Sequence, residues 1–343
     1  MLHILNYSAQ TARLEGLDAL RGFALMGILL VNFPEVVGVH EIRPDGQVYQ
    51  WLDFLIEGHF FPLFCLLFAI GFGMMWRTAP LRTSRPRFAL VRRLLLLGIL
   101  GVLHSQLQPS EVLLLYALFG FFILIPMTFL PPAKWARWIL FIIGALLIAV
   151  GGWVGGWMLI AGLFVVGFLA GQARIPERIA SSTHTRRVSA FIALACAALS
   201  LFGFWLKEAV ENGNASATPG QLPTLLMAAG YVAMFITLLR TPARRVLTQI
   251  FAPLGKMSLT NYITATLLMM VAKYLAPGGW WESGTVAAWI TTFASCAVIL
   301  AMQWAWSKAW QQRFGQGPLE RVWRNFTWWG KSKSNSQQSP SQK

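Results

Sequence analysis

Apolar residues form long runs along this chain, and short polar segments separate the runs. A membrane-spanning helix needs about 20 mostly apolar residues. On that basis the runs predict ten spans, at residues 17–39, 51–76, 89–107, 111–130, 136–152, 155–171, 188–207, 221–239, 250–275 and 284–309. The pattern therefore predicts an all-α, polytopic integral membrane protein.

The division between the fifth and sixth spans needs a separate argument. Residues 136–171 form one apolar stretch, which only the glycine-rich segment 151–156 interrupts. The stretch fits either a tight hairpin or one kinked helix. Only the hairpin keeps the charged loops on consistent sides of the membrane.

The composition narrows the class of protein. Hydrophobic residues make up 56% of the 343 residues and charged residues only 12%, whereas soluble domains carry about 25% charged residues. The 28 basic and 13 acidic side chains are too few to give so apolar a chain a polar surface. These numbers exclude a soluble globular enzyme.

The net charge of +15 comes from basic residues that are concentrated in alternate loops. With the helix ends beside them, one set of segments holds 25 of the 28 lysines and arginines: the N-terminal segment, loops 77–93, 131–137, 172–187 and 240–249, and the C-terminal tail. Because lysine and arginine favour cytoplasmic loops, both termini are predicted to be cytoplasmic. The same bias explains the charge without a nucleic-acid partner.

The segments predict five parts along the chain: a cytoplasmic N-terminus (1–16), an N-terminal helix bundle (17–171), a cytoplasmic loop (172–187), a second set of transmembrane helices (188–330) and a disordered cytoplasmic tail (331–343). The three cysteines, Cys65, Cys196 and Cys296, lie inside apolar runs and lack the spacing of metal ligands. We therefore expect neither a disulfide framework nor a metal site.

Ionisable residues inside spans are the best functional pointers in a membrane sequence, because each charge at membrane depth costs roughly 2.5–3.5 kcal/mol. Asp18 and Arg21 lie three residues apart at the start of the first span, so they share a helix face and are predicted to form an ion pair. A pair that only caps and packs the helix is an equally good interpretation.

Four further polar residues map to the outer half of the first four spans and are candidate catalytic residues. His104 ends the third span and Glu111 begins the fourth, so a short connection is predicted to bring the carboxylate to the imidazole and to orient it as a general base. Asn32 and His59 lie at similar depth on the first two spans. Together they predict a polar cavity that opens outward. Two alternatives remain: residues 104–111 form an ordinary solvent-exposed polar loop, and His59 has a structural role.

Four blocks of the sequence resemble the YeiB-like family of bacterial membrane proteins. Residues 17–32 (LDALRGFALMGILLVN) resemble the opening motif of the family, and residues 63–72 are similar to its second-helix motif. The stretch 101–118 resembles its G-L-x-H and G-D-I-L-x-x-Y-A segments. The C-terminal blocks 253–262 and 317–324 match the domain of unknown function that defines the family.

Three positions depart from the pattern of that family. Ser110-Glu111 replaces the usual Gly-Asp, Ala69 replaces a glycine, and His59 stands where a lysine is expected. The resemblance therefore transfers no family role to His59.

The N-terminal half of the family is similar to the transmembrane acyltransferase superfamily, which includes the heparan-alpha-glucosaminide N-acetyltransferases and the type-three acyltransferases. The resemblance implies acyl transfer across the bacterial inner membrane, from cytoplasmic acyl-CoA as co-substrate to an extracytoplasmic glycan, lipid or small metabolite. It makes His104 the base and Asn32 a donor to the oxyanion. It assigns the binding of CoA to residues at the cytoplasmic foot of the bundle, Asp18, Arg21, Arg92 and Arg93.

Two other functions stay open beside acyl transfer. Ten spans and an outward polar cavity also suit a transporter or exporter, although the ionisable groups are concentrated in the first four spans. A non-catalytic membrane scaffold, in which the polar residues only pair helices, is the third hypothesis. Membrane lipids surround the protein under each hypothesis. The sequence does not identify the acyl chain or the acceptor, and it leaves open whether the protein is a homo-oligomer.

Overall fold

The computed structural model describes residues 2–39, 54–56, 58–108, 110–131, 133–182, 184–212, 221–276, 278–281 and 285–329. The predicted disordered tail, 331–343, lies outside these residues, as do the first residues of the predicted spans 51–76 and 284–309. The described part of the chain consists of helices and contains no strand. The prediction of an all-α protein is confirmed.

The described residues form thirteen α-helices, one of which, α4, contains a π-helical turn at Gly120–Leu124, and a 3-10 turn at Ala79–Leu81 that continues α2. In chain order they are α1 (Leu2–Val37), α2 (Phe60–Thr78), α3 (Pro86–His104), α4 (Leu113–Met127), α5 (Lys134–Val154), α6 (Trp157–Gln172), α7 (Ile175–Ser181), α8 (Thr185–Asn212), α9 (Leu222–Leu238), α10 (Arg244–Lys256), α11 (Ser258–Leu275), α12 (Val286–Phe314) and α13 (Pro318–Thr327).

Five helices in the described residues are long and apolar enough to cross a membrane. They are Glu15–Val37 within α1, Phe60–Leu81, Lys134–Val154, Thr185–Trp205 and Val286–Phe314. The bent pair α6 and α7 adds a sixth if it is counted as one span. These helices support a membrane protein, whereas the count of ten spans and the side on which the termini lie stay predictions.

The apolar stretch 136–171 is a hairpin of two helices. Helices α5 and α6 pack against each other, and a Cβ atom on Gly162 would lie 2.7 Å from the carbonyl oxygen of Gly144. The turn between them uses Gly155 and Gly156, with φ angles of 78° and 69° that favour glycine. Of the two interpretations of this stretch, the hairpin is therefore correct.

Two segments differ from the sequence-based division. The predicted span 250–275 is divided, because α10 ends at Lys256 and α11 begins at Ser258. Met257 between them has φ −117° and ψ 35°, which are not helical angles. The predicted loop 172–187 contains the short helix α7.

Helix α1 is central to the packing, because it contacts α2, α10, α11 and α12. Its backbone meets that of α10 directly at two glycines. A Cβ atom on Gly22 would lie 2.8 Å from the carbonyl carbon of Phe251, and one on Gly255 would lie 2.7 Å from the carbonyl carbon of Asp18. Small residues let two membrane helices approach this closely. The opening motif and the first C-terminal block of the sequence are thus in direct contact.

Candidate functional site

His104 and Glu111 meet across the connection between α3 and α4. The Nδ1 atom of His104 lies 3.5 Å from Oε1 of Glu111, and each side chain is only 2% exposed. The carboxylate also accepts hydrogen bonds from the backbone N–H groups of Leu113 (2.5 Å) and Leu114 (2.9 Å), at the start of α4. A helix N-terminus stabilises a negative charge. The predicted approach of the carboxylate to the imidazole is present, and Glu111 is held in place by α4.

Thr266 on α11 is the second partner of His104. Its Oγ1 atom lies 2.9 Å from Nε2 of His104 and 2.7 Å from Oε1 of Gln108. The ring of Tyr262, one helical turn earlier, lies 4.9 Å from the imidazole between ring centroids. His104, Gln108 and Thr266 are all buried. The imidazole is therefore enclosed by groups from both halves of the chain.

A small cavity lies beside Thr266, between α1, α11 and α12. Polar side chains from each helix line it, namely Asn32, Tyr262, Thr266 and Gln303, together with apolar residues that include Leu25 and Met269. Its volume is about 10 Å³, which is room for about one water molecule. The structure thus brings Asn32 to the group around His104. That the cavity opens outward stays a prediction.

His59 lies elsewhere, against α9. Its Nε2 atom is 2.7 Å from the carbonyl oxygen of Phe54 and its Nδ1 atom is 3.1 Å from that of Thr224. Its ring also lies 5.9 Å from the ring of Tyr231. These contacts tie the segment before α2 to α9. The structure does not bring His59 together with His104, and its position fits a structural role.

Asp18 and Arg21 form the predicted ion pair, with Nη1 of Arg21 3.4 Å from Oδ1 of Asp18. Lys256 is a further charged neighbour of Asp18, and Arg93 of α3 is a charged neighbour of Arg21. Arg21 lies against α2, because a Cβ atom on Gly71 would be 2.6 Å from its Nη2 atom. The structure therefore gathers Asp18, Arg21 and Arg93 in one place, which we call the basic end.

Arg92 and Arg93 also contact the C-terminal segment. The guanidinium carbon of Arg93 lies 3.4 Å from the centroid of the Trp323 ring, and Trp323 Nε1 donates a hydrogen bond of 2.8 Å to the Arg93 carbonyl oxygen. Arg92 donates a hydrogen bond to the carbonyl oxygen of Trp329. Such cation–π contacts stabilise an arginine while leaving some of its N–H groups free to bind an anion. A role of either arginine in binding CoA stays a prediction.

The basic end and the His104 group are placed by the same two helices. Arg21 and Asn32 are eleven residues apart on α1, and Arg93 and His104 are eleven residues apart on α3. At 1.5 Å per residue, each pair spans about 16 Å. Arg21 is a charged neighbour of Arg93 at one end of the two helices. At the other end, Asn32 lines the same cavity as Thr266, which contacts His104. Helices α1 and α3 therefore run in the same direction.

The site therefore has two ends. Besides the basic end, we call Asn32, His104, Glu111 and Thr266 the histidine end. The described residues contain no group of three or more His, Cys, Asp or Glu side chains that could hold a metal ion. The side chains of the two ends can take part in acid–base catalysis and in anion binding.

The comparisons with known proteins give the family. A family model described as "Protein of unknown function (DUF418)" matches residues 170–330. An "Uncharacterized 39.9 kDa protein in amylase 3'region" of Bacillus acidopullulyticus is 30% identical over 340 residues, which cover 92% of this chain and 94% of the relative. The uncharacterized protein YeiB of Escherichia coli strain K12 is 25% identical, over 91% of this chain and 95% of YeiB.

The chain belongs to the YeiB-like family. The uncharacterized protein YxaH of Bacillus subtilis strain 168 is a further relative, 25% identical over 92% of this chain and 94% of YxaH. No solved structure matches the chain significantly. The YeiB-like relatives align with both halves, so the similarity includes the His104 region as well as the C-terminal part.

Two C-terminal blocks of the YeiB-like sequence set the position of α11. Glu320 on α13 accepts hydrogen bonds from the backbone N–H groups of Leu259 (2.8 Å) and Thr260 (2.9 Å), so it caps the start of α11. Asn261, fully buried, donates to the carbonyl oxygen of Leu254 at 3.1 Å and to Ser307 of α12 at 2.9 Å. These bonds fix the helix that carries Tyr262 and Thr266.

The sequence analysis missed Thr266, Gln108 and Gln303. Threonine and glutamine are uncharged, so none of them stands out in an apolar run as an ionisable residue does. The only sequence signal was indirect: Thr266 follows the C-terminal block 253–262 by one helical turn. Its partner His104 is 162 residues away in the sequence, a separation that no local spacing reveals.

Proposed function

We propose that this protein is a membrane acyltransferase, which moves an acyl group from cytoplasmic acyl-CoA to an extracytoplasmic glycan, lipid or small metabolite. The observation that supports it best is the two-ended site on α1 and α3. A cluster with two arginines lies about 16 Å along these helices from a buried imidazole–carboxylate pair. Acyl-CoA has the matching shape, with phosphates at one end of a long arm and a thioester at the other.

The histidine end supplies the proton transfers. Acyl transfer requires removal of a proton from the attacking group and delivery of a proton to the leaving thiolate, and one histidine can do both in turn. Glu111 accepts two backbone N–H bonds at the start of α4, which keep its carboxylate facing His104. The carboxylate stabilises the imidazolium that forms. Asn32, on the cavity wall, donates its amide hydrogen to the developing oxyanion.

The basic end binds the phosphates. Arginines favour phosphate through paired, charge-assisted hydrogen bonds. Among the described residues, Asp18 at 3.4 Å is the one acidic partner of Arg21. The guanidinium of Arg93 stacks on Trp323 through its face, so both arginines retain N–H groups for a ligand. Asp18 limits the mutual repulsion of Arg21 and Arg93 when no anion is bound. In this account phosphate binding fixes the position of the thioester about 16 Å away.

The test measures the turnover of acyl-CoA by the purified protein in liposomes, followed as release of free thiol. We expect Arg21→Ala to raise KM for acyl-CoA roughly 10- to 100-fold, which corresponds to one or two lost charge-assisted hydrogen bonds. The effect on kcat is expected to be smaller, because Arg21 is remote from the reacting carbonyl.

Arg137→Ala is the matched control, because it removes the same charge from an exposed position on α5. Its KM is expected to equal that of the wild-type protein. Equal KM values for the Arg21 and Arg137 variants contradict the assignment of the basic end. Flux of a chemically unchanged substrate across sealed vesicles, with no thiol released, identifies a transporter instead.

A further inference from the structure

Thr266, His104 and Glu111 form a continuous chain of hydroxyl, imidazole and carboxylate. The hydroxyl oxygen lies 2.9 Å from Nε2 of the imidazole, and Nδ1 of the same ring lies 3.5 Å from the carboxylate. A hydroxyl within hydrogen-bonding distance of a base, with a third group orienting that base, is the arrangement that activates serine and threonine nucleophiles. The three residues come from α11, the end of α3 and the connection to α4.

The positions of the protons depend on Gln108. If Thr266 donates its one hydroxyl proton to Oε1 of Gln108, His104 must donate from Nε2, and in a neutral imidazole an unprotonated Nδ1 then faces the carboxylate. In that arrangement His104 Nδ1 and Gln108 Nε2 are buried without a hydrogen-bond partner among the described residues. Such unpaired groups are costly.

Rotating the Gln108 amide by 180° reverses the direction of these hydrogen bonds. Nε2 of Gln108 then donates to Thr266, the Thr266 hydroxyl donates to Nε2 of His104, and the Nδ1 proton points at Glu111. In this arrangement His104 is a neutral base aimed at the hydroxyl, and Gln108 holds Thr266 in place. The hydroxyl is then poised to lose its proton to His104.

The surroundings of Thr266 would protect an ester between an acyl group and its hydroxyl from hydrolysis. Thr266 is fully buried, so bulk water has no direct access to an ester formed there. The adjoining cavity combines the amide groups of Asn32 and Gln303 with apolar side chains such as Leu25 and Met269. The amides suit a carbonyl oxygen, and the apolar side chains suit an alkyl group. The cavity, about 10 Å³, has room for about one water molecule, so even an acetyl ester at Thr266 requires the side chains around it to move.

We infer that Thr266 is the nucleophile that carries the acyl group between CoA and the acceptor, an inference that rests on the proposed function. Thr266 Oγ1 attacks the thioester carbonyl, its proton moves to His104, and a C–O bond forms as the C–S bond breaks. His104 returns that proton to the thiolate, which leaves as CoA thiol. An acceptor hydroxyl or amine then attacks the ester, gives its proton to His104, and releases Thr266, which regains the proton.

The experiment traps the intermediate. The full chain in liposomes is incubated with labelled acetyl-CoA and no acceptor, quenched in acid and digested, and the labelled peptide is sequenced by mass spectrometry. We expect about one acetyl group per active site, esterified to Thr266, and one equivalent of CoA released in a burst. His104→Gln is expected to slow the labelling about 10²- to 10⁴-fold.

Three variants complete the test. Thr266→Val keeps the shape of the side chain and is expected to lose the label, whereas Thr266→Ser keeps the hydroxyl and retains it. Thr292→Val is the matched control: Thr292 is also buried in a helix, but within the described part of the chain its hydroxyl bonds only to the Ala288 carbonyl of its own helix, at 3.0 Å. Its labelling is expected to equal that of the wild-type protein.

The outcomes separate this inference from the proposed function. Acyl transfer that persists in Thr266→Val, or a label found on His104 instead of Thr266, overturns the nucleophile while leaving an acyltransferase. Absence of thiol release by the wild-type protein with every acyl-CoA tried, from acetyl upward, overturns the proposed function and this inference together.

Discussion

We expect the replacement of His104 by glutamine to lower kcat for the proposed acyl-CoA turnover by about 10²- to 10⁴-fold, the usual contribution of a positioned general base. Glutamine is a suitable substitution because its amide still provides polar atoms for Thr266 and Glu111, so the buried site keeps hydrogen-bonding partners. It cannot take up and return a proton. Thiol release by the purified protein in liposomes measures the change, with elution from a sizing column as the check on folding.

Gln106→Ala is the control for this prediction, because Gln106 lies in the same connection but is exposed. Its turnover is expected to match that of the wild-type protein. Glu111→Gln should fall between the two. Its amide oxygen accepts only one of the Leu113 and Leu114 N–H bonds, and the neutral amide no longer stabilises an imidazolium. A His104→Gln protein that elutes normally and turns over as fast as Gln106→Ala contradicts a catalytic role for His104.

Gly255→Ala has the largest expected effect on stability. The added Cβ atom would lie 2.7 Å from the carbonyl carbon of Asp18 and 2.8 Å from the backbone nitrogen of Gly22. These are backbone atoms of a neighbouring helix, so α1 and α10 must separate to relieve the clash. Overpacking costs about 1–3 kcal/mol even where only side chains move, and we expect at least this much. Thermal unfolding in detergent measures it as a lower midpoint.

The same separation would displace the basic end, because Asp18 and Lys256 lie on either side of this contact. Gly16→Ala is the matched control within α1, since its Cβ would meet only the Cδ1 atom of Leu239, at 3.4 Å. Alanine is also the better helix former by about 1 kcal/mol, so this variant is expected to be neutral or stabilised. Equal unfolding midpoints for the two variants would show that α1 and α10 are not in direct backbone contact.

The sequence predicted those parts of the fold that depend on long apolar runs. The hairpin at residues 136–171 followed from a glycine-rich break and from the loop charges, and Gly155 and Gly156 form its turn. The break between α10 and α11 could not be predicted in this way, because residues 250–275 are apolar enough to read as one span. The start of α11 depends on a tertiary contact, because Glu320, from 60 residues further along the chain, caps this helix.

The candidate site could be predicted only where a charge or a short connection marked it. The pairs Asp18–Arg21 and His104–Glu111 are close in sequence, and the structure shows both. Thr266 is neutral and reaches His104 from a distant helix, so neither composition nor spacing identifies it. His59 stood out as a histidine in an apolar run, and its sequence position did not reveal that its ring contacts the backbone carbonyl oxygens of Phe54 and Thr224.

In the proposed function, one ligand spans the basic end and the histidine end. The most direct measurement is a structure of the full chain in lipid nanodiscs with a thioether analogue of acetyl-CoA, which cannot transfer its acyl group. We expect phosphate oxygens in contact with Arg21 and Arg93, and the analogue's carbonyl carbon beside His104 and Thr266, about 16 Å along α1 and α3. A structure in which the analogue lies away from these two helices contradicts this expectation. A structure without bound analogue, although the analogue was added in large excess, contradicts it as well.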